Sequence, residues 1–143
     1  LKETDMPYIR ARVAGDGSTE IAAKVADLLT GLAVDVLGKQ RDVVSVDVDF
    51  ADPACWFVGG RSVPDRGEGT FYVEIKITEG TNAKGDKALF VRRAFDGMAA
   101  ILGTVSEASY IVVQDVRPDS WGFAGLTQEY RYIAGRLAAK TDD

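Results

Sequence analysis

Met6 and Pro7 open the first patterned segment of this chain, "MPYIRARV". A proline that begins a mature chain carries a free secondary amine able to take or give a proton. Behind a peptide bond the same nitrogen is an inert amide. An α-amino group titrates near ~8, and burial disfavours its charged form and moves it toward neutrality. That is the range in which a proton shuttle works best. The chain contains no histidine and a single cysteine, Cys55. A Ser-His-Asp triad is therefore excluded and a zinc site disfavoured. Any acid–base chemistry must come from Asp, Glu, Tyr, Lys or an amino terminus. Cys55 has no histidine to activate it and is expected to be a small residue packed in a loop.

The bulk properties bound what such chemistry serves. With 143 residues, the chain suits one domain with a real core. Its net charge of −5 argues against nucleic acid as a partner, because phosphate binding needs a basic face. No apolar run is long enough for a membrane span. The amino-terminal stretch lacks the basic-then-apolar layout of a secretion signal. One cysteine cannot form an internal disulfide, which fits a reducing cytoplasm.

The elements that position Pro7 come in two copies at a constant offset of 65 residues, as from Trp56 to Trp121. Gly15 repeats as Gly80, Leu37-Gly38 as Leu102-Gly103, Pro53 as Pro118 and Gly60 as Gly125; "PACWFVGG" answers "PDSWGFAG". Two copies point to a duplicated unit within one domain, about residues 7–62 and 70–127 followed by a tail, rather than to a solenoid.

Each copy reads as strand, helix, strand and a short tail. Ile9, Ala11 and Val13 alternate with Tyr8, Arg10 and Arg12, a period-two strand pattern. Ser18 or Thr19 can cap a helix whose apolar face is Ile21, Val25, Leu28, Leu29, Leu32, Val36 and Leu37, and Gly38 stops it. "VVSVDVDF" is the return strand. In copy two, "TFYVEIKIT" is a strand and "EGTNAKGDK" a turn; the helix after it carries Leu89, Val91, Phe95, Met98, Ile101 and Leu102, and "ASYIVVQDV" closes the unit. The tails around Gly59-Gly60 and Gly125 read as small hairpins. In "TQEYRYIAGRLAAK" a short helix is expected to pack Tyr130, Ile133 and Leu137 inward.

A strand-helix-strand crossover makes its two strands parallel, and the crossover itself is right-handed. Two units side by side predict an α+β fold: a four-stranded sheet with both helices on one face. An open sheet face bearing apolar residues would seek a partner, so oligomerisation is expected. A ferredoxin-like domain is the alternative architecture.

"MPYIRARV", "VEIKITEG" and "VVQDVRPDSWGFAGLT", in this order and duplicated, resemble the tautomerase superfamily from Met6 to about Thr127. The likeness is to fused members carrying two 4-oxalocrotonate tautomerase-like units. It implies the tautomerase or MIF-like β-α-β fold assembled as a homotrimer. It also implies an amino-terminal catalytic proline, a small 2-oxo or enol carboxylate as substrate, and no metal or organic cofactor. Pro7 matches that proline, whereas Tyr72 stands at the equivalent point of copy two. Where simple isomerases of the family carry an arginine after the first-turn glycine, this chain has Asp16 and Thr81. "DSWGFAG" is similar to the active-site wall of malonate semialdehyde decarboxylase, which assigns Trp121 and Phe123 to the substrate wall and Asp42 to the neighbourhood of its catalytic aspartate. Tyr110 matches a tyrosine used by cis-3-chloroacrylic acid dehalogenases.

The expected catalytic set is thus Pro7, Tyr110 and Asp42, with Trp121, Phe123, Arg61 and Arg12 on the substrate. Each residue also has an ordinary structural role open to it. Pro7 can simply begin a strand, Tyr110 can be a half-buried strand aromatic, Asp42 a solvated helix-end residue, and Arg12 an ion-pair partner. The expected activity is a cytoplasmic tautomerase, with a decarboxylase, a hydratase or a non-catalytic scaffold as alternatives.

Overall fold

The computed structural model describes residues 6–141. Strand β1 (Tyr8–Ala14) leads to helix α1 (Thr19–Asp35) and strand β2 (Ser45–Ala51). A two-strand hairpin, β3 (Phe57–Val58) with β4 (Arg61–Ser62), and a one-turn helix α2 (Val63–Arg66) complete the first copy. Copy two repeats this as β5 (Phe71–Thr78), α3 (Lys84–Leu102), β6 (Tyr110–Val116) and the hairpin β7 (Gly122–Phe123) with β8 (Leu126–Thr127). Helix α4 (Gln128–Thr141) ends the described chain.

The four long strands form one sheet in the order β2-β1-β5-β6. β1 runs parallel to β2 and β5 parallel to β6, while β1 and β5 pair antiparallel at the centre. No strand of one unit inserts between the two strands of the other. This excludes the split β-α-β arrangement of a ferredoxin-like sheet.

The period-two expectation for β1 is met: Ile9, Ala11 and Val13 are buried against the helices, facing Ile75, Val73 and Phe71 across the central pair. Ser18 caps α1, accepting a hydrogen bond from the Ile21 N–H at 3.0 Å. Val25, Leu29, Ala33 and Leu37 bring its apolar face into the core. At α3 the Asp86 carboxylate reaches back to the Ala83 N–H at 3.2 Å, satisfying a first-turn donor.

Three expectations are corrected. The core face of α3 is Phe90, Ala94 and Met98, one turn apart, whereas Leu89 and Val91 point outward. Leu89 and Val91 lie off the 90-94-98 row that faces the sheet, and beside that row the helices approach closely: a Cβ on Gly97 would lie 2.5 Å from Leu28 Cδ1. Helix α4 forms, but Tyr130, Ile133 and Leu137 are 59%, 50% and 60% exposed rather than packed inward. The first two layers already bury each other, so no core surface is left for it to cover. The open sheet face is charged rather than apolar. Its central row is Asp47-Arg10-Glu74-Val112, and the next row is Asp49-Arg12-Tyr72-Tyr110.

Phe90 is fully buried between the helices and the sheet. Phe90→Ala should lower unfolding free energy by about 3–5 kcal/mol in urea titration, the usual cost of emptying such a site. A loss under about 1 kcal/mol would contradict this packing.

Candidate functional site

The start of β1 is buried and carries the candidate amine. Pro7, just before β1, is buried. Its carbonyl accepts from the Ser45 N–H at 3.3 Å, tying it to the head of β2. Because β1 and β5 are antiparallel, the head of β1 lies beside the tail of β5 and the exit of β6. The chain leaving β6 turns through Arg117–Ser120 and comes back over Pro7. The indole Nε1–H of Trp121 donates to the Met6 carbonyl at 2.9 Å.

The hairpin holds that indole by backbone bonds. The Gln128 N–H donates to the Trp121 carbonyl at 2.8 Å, and the Glu129 N–H to Pro118 at 3.0 Å. The same bond recurs in copy one, from the Val63 N–H to the Trp56 carbonyl at 2.9 Å. Arg117 and Asp119 brace the preceding turn at 3.0 Å. Hydrogen bonds from Arg117 hold the Asp119 carboxyl below its usual range. Beyond the hairpin, the Arg131 guanidinium lies 4.7 Å over the Phe123 ring, a cation–π contact.

Sequence reasoning missed Lys39 and Arg131. Lys39 is only 4% exposed. Its ammonium donates to Thr81 Oγ1 at 3.0 Å, in the turn that follows β5 at the Pro7 end of the sheet. Burying a cation costs several kcal/mol unless it is well paired, so a buried lysine at the Pro7 end of the sheet is a feature to explain. A lysine directly after the helix-stopping Gly38 was the available signal. Arg131 gave none, because its position depends on how α4 leaves the hairpin.

Asp42 lies in an exposed turn just before β2, at the Pro7 end. Tyr8, next to Pro7, donates from its hydroxyl to Asp47 at 2.9 Å. That bond is the main reason its phenol pKa is raised above the ordinary 10.0.

The remaining expected residues lie elsewhere. Arg12 and Tyr110 sit at the opposite end of the sheet, five residues or about 17 Å along the strand from Pro7. They share a cavity of about 730 Å³ with Tyr72, Trp56 and Phe57. There Arg12 is ion-paired with Asp49, which also lies 3.7 Å from Arg10. Arg61, on β4, donates to the Asp65 carbonyl at 2.8 Å. Cys55 is exposed at the cavity rim and not packed away. The duplication thus yields two ends: Pro7 with Trp121, and Tyr72 with Trp56.

A duplicated β-α-β sheet with one helical layer is an architecture seen in solved structures. A fused 4-OT symmetric trimer (Q0) superposes with TM-score 0.75 at 17% identity, covering 85% of this chain and 96% of its own. A macrophage migration inhibitory factor-like protein from Entamoeba histolytica superposes with TM-score 0.71 at 19% identity, covering 85% and 98%. The family profile "Tautomerase enzyme" matches residues 72–130. "Probable tautomerase K2" of Dickeya dadantii (strain 3937) is 36% identical over 62 residues, 43% of this chain and 92% of that relative. The chain belongs to the tautomerase family. Among the described residues no helix is long and apolar enough to cross a membrane.

The Tyr8–Asp47 bond favours the protonated phenol in the fold. Its contribution is present below the unfolded value of about 10 and is lost as pH rises through the raised folded value. In an absorbance titration of the tyrosines, Tyr8→Phe should remove a phenol ionising above the ordinary 10.0. An unchanged high-pH limb would show that the bond does not persist in solution.

Proposed function

We propose that this protein is a cytoplasmic, cofactor-independent tautomerase that moves a proton on a small 2-oxo or enol carboxylate through the amine of Pro7. The observation that carries the reading is the burial of Pro7 at a strand head, roofed by Trp121. Burial favours the neutral amine, the form that acts as base. Family membership supports the reaction class. Phe123 walls the site, and Asp42 at its mouth orients water or the enol hydroxyl. Lys39 and Arg131 put positive charge at this end of the fold, which favours an anionic substrate, at positions other than those the family's simple isomerases use.

Tyr110 and Arg12 are too far from Pro7 to serve it within one chain. They enter the reaction only if chains associate with the Tyr110 end of one against the Pro7 end of the next. The fused 4-OT relatives are described as trimers. The exposed stripe Tyr130, Ile133 and Leu137 supports association here as well. A second reading follows from the bond to Met6: while that peptide bond persists, the nitrogen is an amide and the chain is a binding scaffold.

Chains beginning at Pro7 and chains retaining Met6 should be compared in the ketonisation of phenylenolpyruvate. The free-amine form should turn over, and Pro7→Ala should lose about 10²-fold or more. Equal rates in all three would end the proline mechanism. Decarboxylation of malonate semialdehyde and hydration of 3-chloroacrylate are the companion assays for the alternative activities.

Shared sites also predict complementation. Pro7→Ala and Tyr110→Phe chains, each poorly active alone, should regain about a quarter of wild-type activity when refolded as an equal mixture, the share of interfaces with both groups intact in a cyclic assembly. Strictly averaged activity would confine Tyr110 to a role outside the Pro7 site.

A further inference from the structure

The hydrogen bond from Trp121 to Met6 has a meaning beyond an apolar wall. The Met6 carbonyl is the acyl group on the Pro7 nitrogen, so its oxygen marks the space immediately beside that nitrogen. The indole N–H is aimed at this oxygen from 2.9 Å, ordinary hydrogen-bond geometry. Trp121 is only partly exposed, and its backbone is fixed by the Gln128 bond. Once Met6 leaves, the acceptor leaves with it. The donor then points into the space beside a free amine, and an indole N–H left without an acceptor there is costly.

From this geometry we infer that Trp121 is a catalytic hydrogen-bond donor: its indole N–H binds the carbonyl or enolate oxygen of the 2-oxo acid, in the place the Met6 carbonyl holds in the longer chain. This rests on the proline reading above and adds the group that stabilises charge on oxygen. In the enolising direction the neutral Pro7 amine takes the proton from the carbon next to the carbonyl. The C–H pair becomes the C=C bond, and the carbonyl π pair moves onto the oxygen that Trp121 holds. The prolinium proton then returns to that oxygen, directly or through water, and the amine is neutral again. One proton has moved from carbon to oxygen, with nothing oxidised or reduced. A carbonyl oxygen and its α-carbon are two bonds apart, so one small molecule reaches both the donor and the amine.

Copy one shows that the arrangement belongs to the Pro7 end. Trp56 occupies the equivalent hairpin position and its carbonyl accepts the equivalent bond. The position matching Pro7 is Tyr72, inside strand β5, and the residue before it, Phe71, is already paired with Val13. There the chain continues upstream as strand, and neither an amine nor an acyl oxygen can be exchanged for a ligand. The longer chain thereby also blocks itself twice, by acylating the amine and by occupying the donor.

The test uses chains that begin at Pro7. Trp121→Phe keeps a flat apolar wall and removes the N–H. With phenylenolpyruvate, kcat should fall about 10²-fold, the cost of one lost oxyanion donor, while KM stays within about threefold. An unchanged kcat beside an impaired Pro7→Ala would overturn the donor role and leave the proline mechanism standing. An unimpaired Pro7→Ala would remove both. A second readout needs no mutant enzyme to be active. In ¹H–¹⁵N spectra, the Trp121 indole N–H signal, assigned by its absence in Trp121→Phe, should differ between Met6-bearing and Pro7-beginning chains. In the latter it should move downfield on adding phenylpyruvate. A signal that is the same in both chains, or unmoved at saturating phenylpyruvate, refutes the proposal.

Discussion

Antiparallel pairing of β1 with β5 joins the two repeats and fixes where everything else in the chain falls. Had the units met through parallel strands, both hairpins would have emerged at the same end of the sheet. Antiparallel contact sends them to opposite ends, so each hairpin closes over the strand head of the other repeat. Trp121 of the second copy therefore covers Pro7 of the first, and Trp56 of the first lies in a cavity with Tyr72 of the second. The pairing is held by the Ile9–Ile75 and Ala11–Val73 rows, all fully buried under the helices.

That geometry divides the labour between the ends. One end has a buried proline, a donor indole, a buried lysine and a guanidinium stacked on Phe123. The other has a wide cavity with two phenols and an arginine engaged by Asp49. The open face between them is a lattice of charges: Asp49 lies against both Arg10 and Arg12, and Asp47 takes the Tyr8 hydroxyl. A face of this kind is content in water or against a polar partner, because its ion pairs are already half-exposed and cost little to maintain. If the chains assemble, the apolar contribution has to come from elsewhere, and α4 presents it.

The parts legible in the sequence were those set by local periodicity. Ile9, Ala11 and Val13 on one side of β1, Ser18 as the cap of α1, and the duplicated hairpins need only their immediate neighbours to be read. Misreadings arose where two elements compete for the same space. Leu89 and Val91 are more apolar than Ala94, yet Ala94 faces the core because it shares the i, i+4 row of Phe90 and Met98, which the sheet covers. Tyr130, Ile133 and Leu137 have helical spacing, but a stripe does not say whether anything is there to receive it. Lys39 and Arg131 were overlooked for a related reason: their importance comes from burial and from what lies across from them.

By itself the sequence determined the duplication, the β-α-β order, the apolar faces of β1 and α1, and the single proline that could act as an amine. These follow from spacing along the chain, where the physics is short-ranged. Only the tertiary structure decided that Trp121 bonds the residue before Pro7 and that Tyr110 and Arg12 stand at the far end of the sheet. It also decided that the indole points its N–H at the acyl oxygen on the proline nitrogen. Those contacts join residues as far apart as Met6 and Trp121, and the relative direction of the central strands, which no local pattern encodes, selects them.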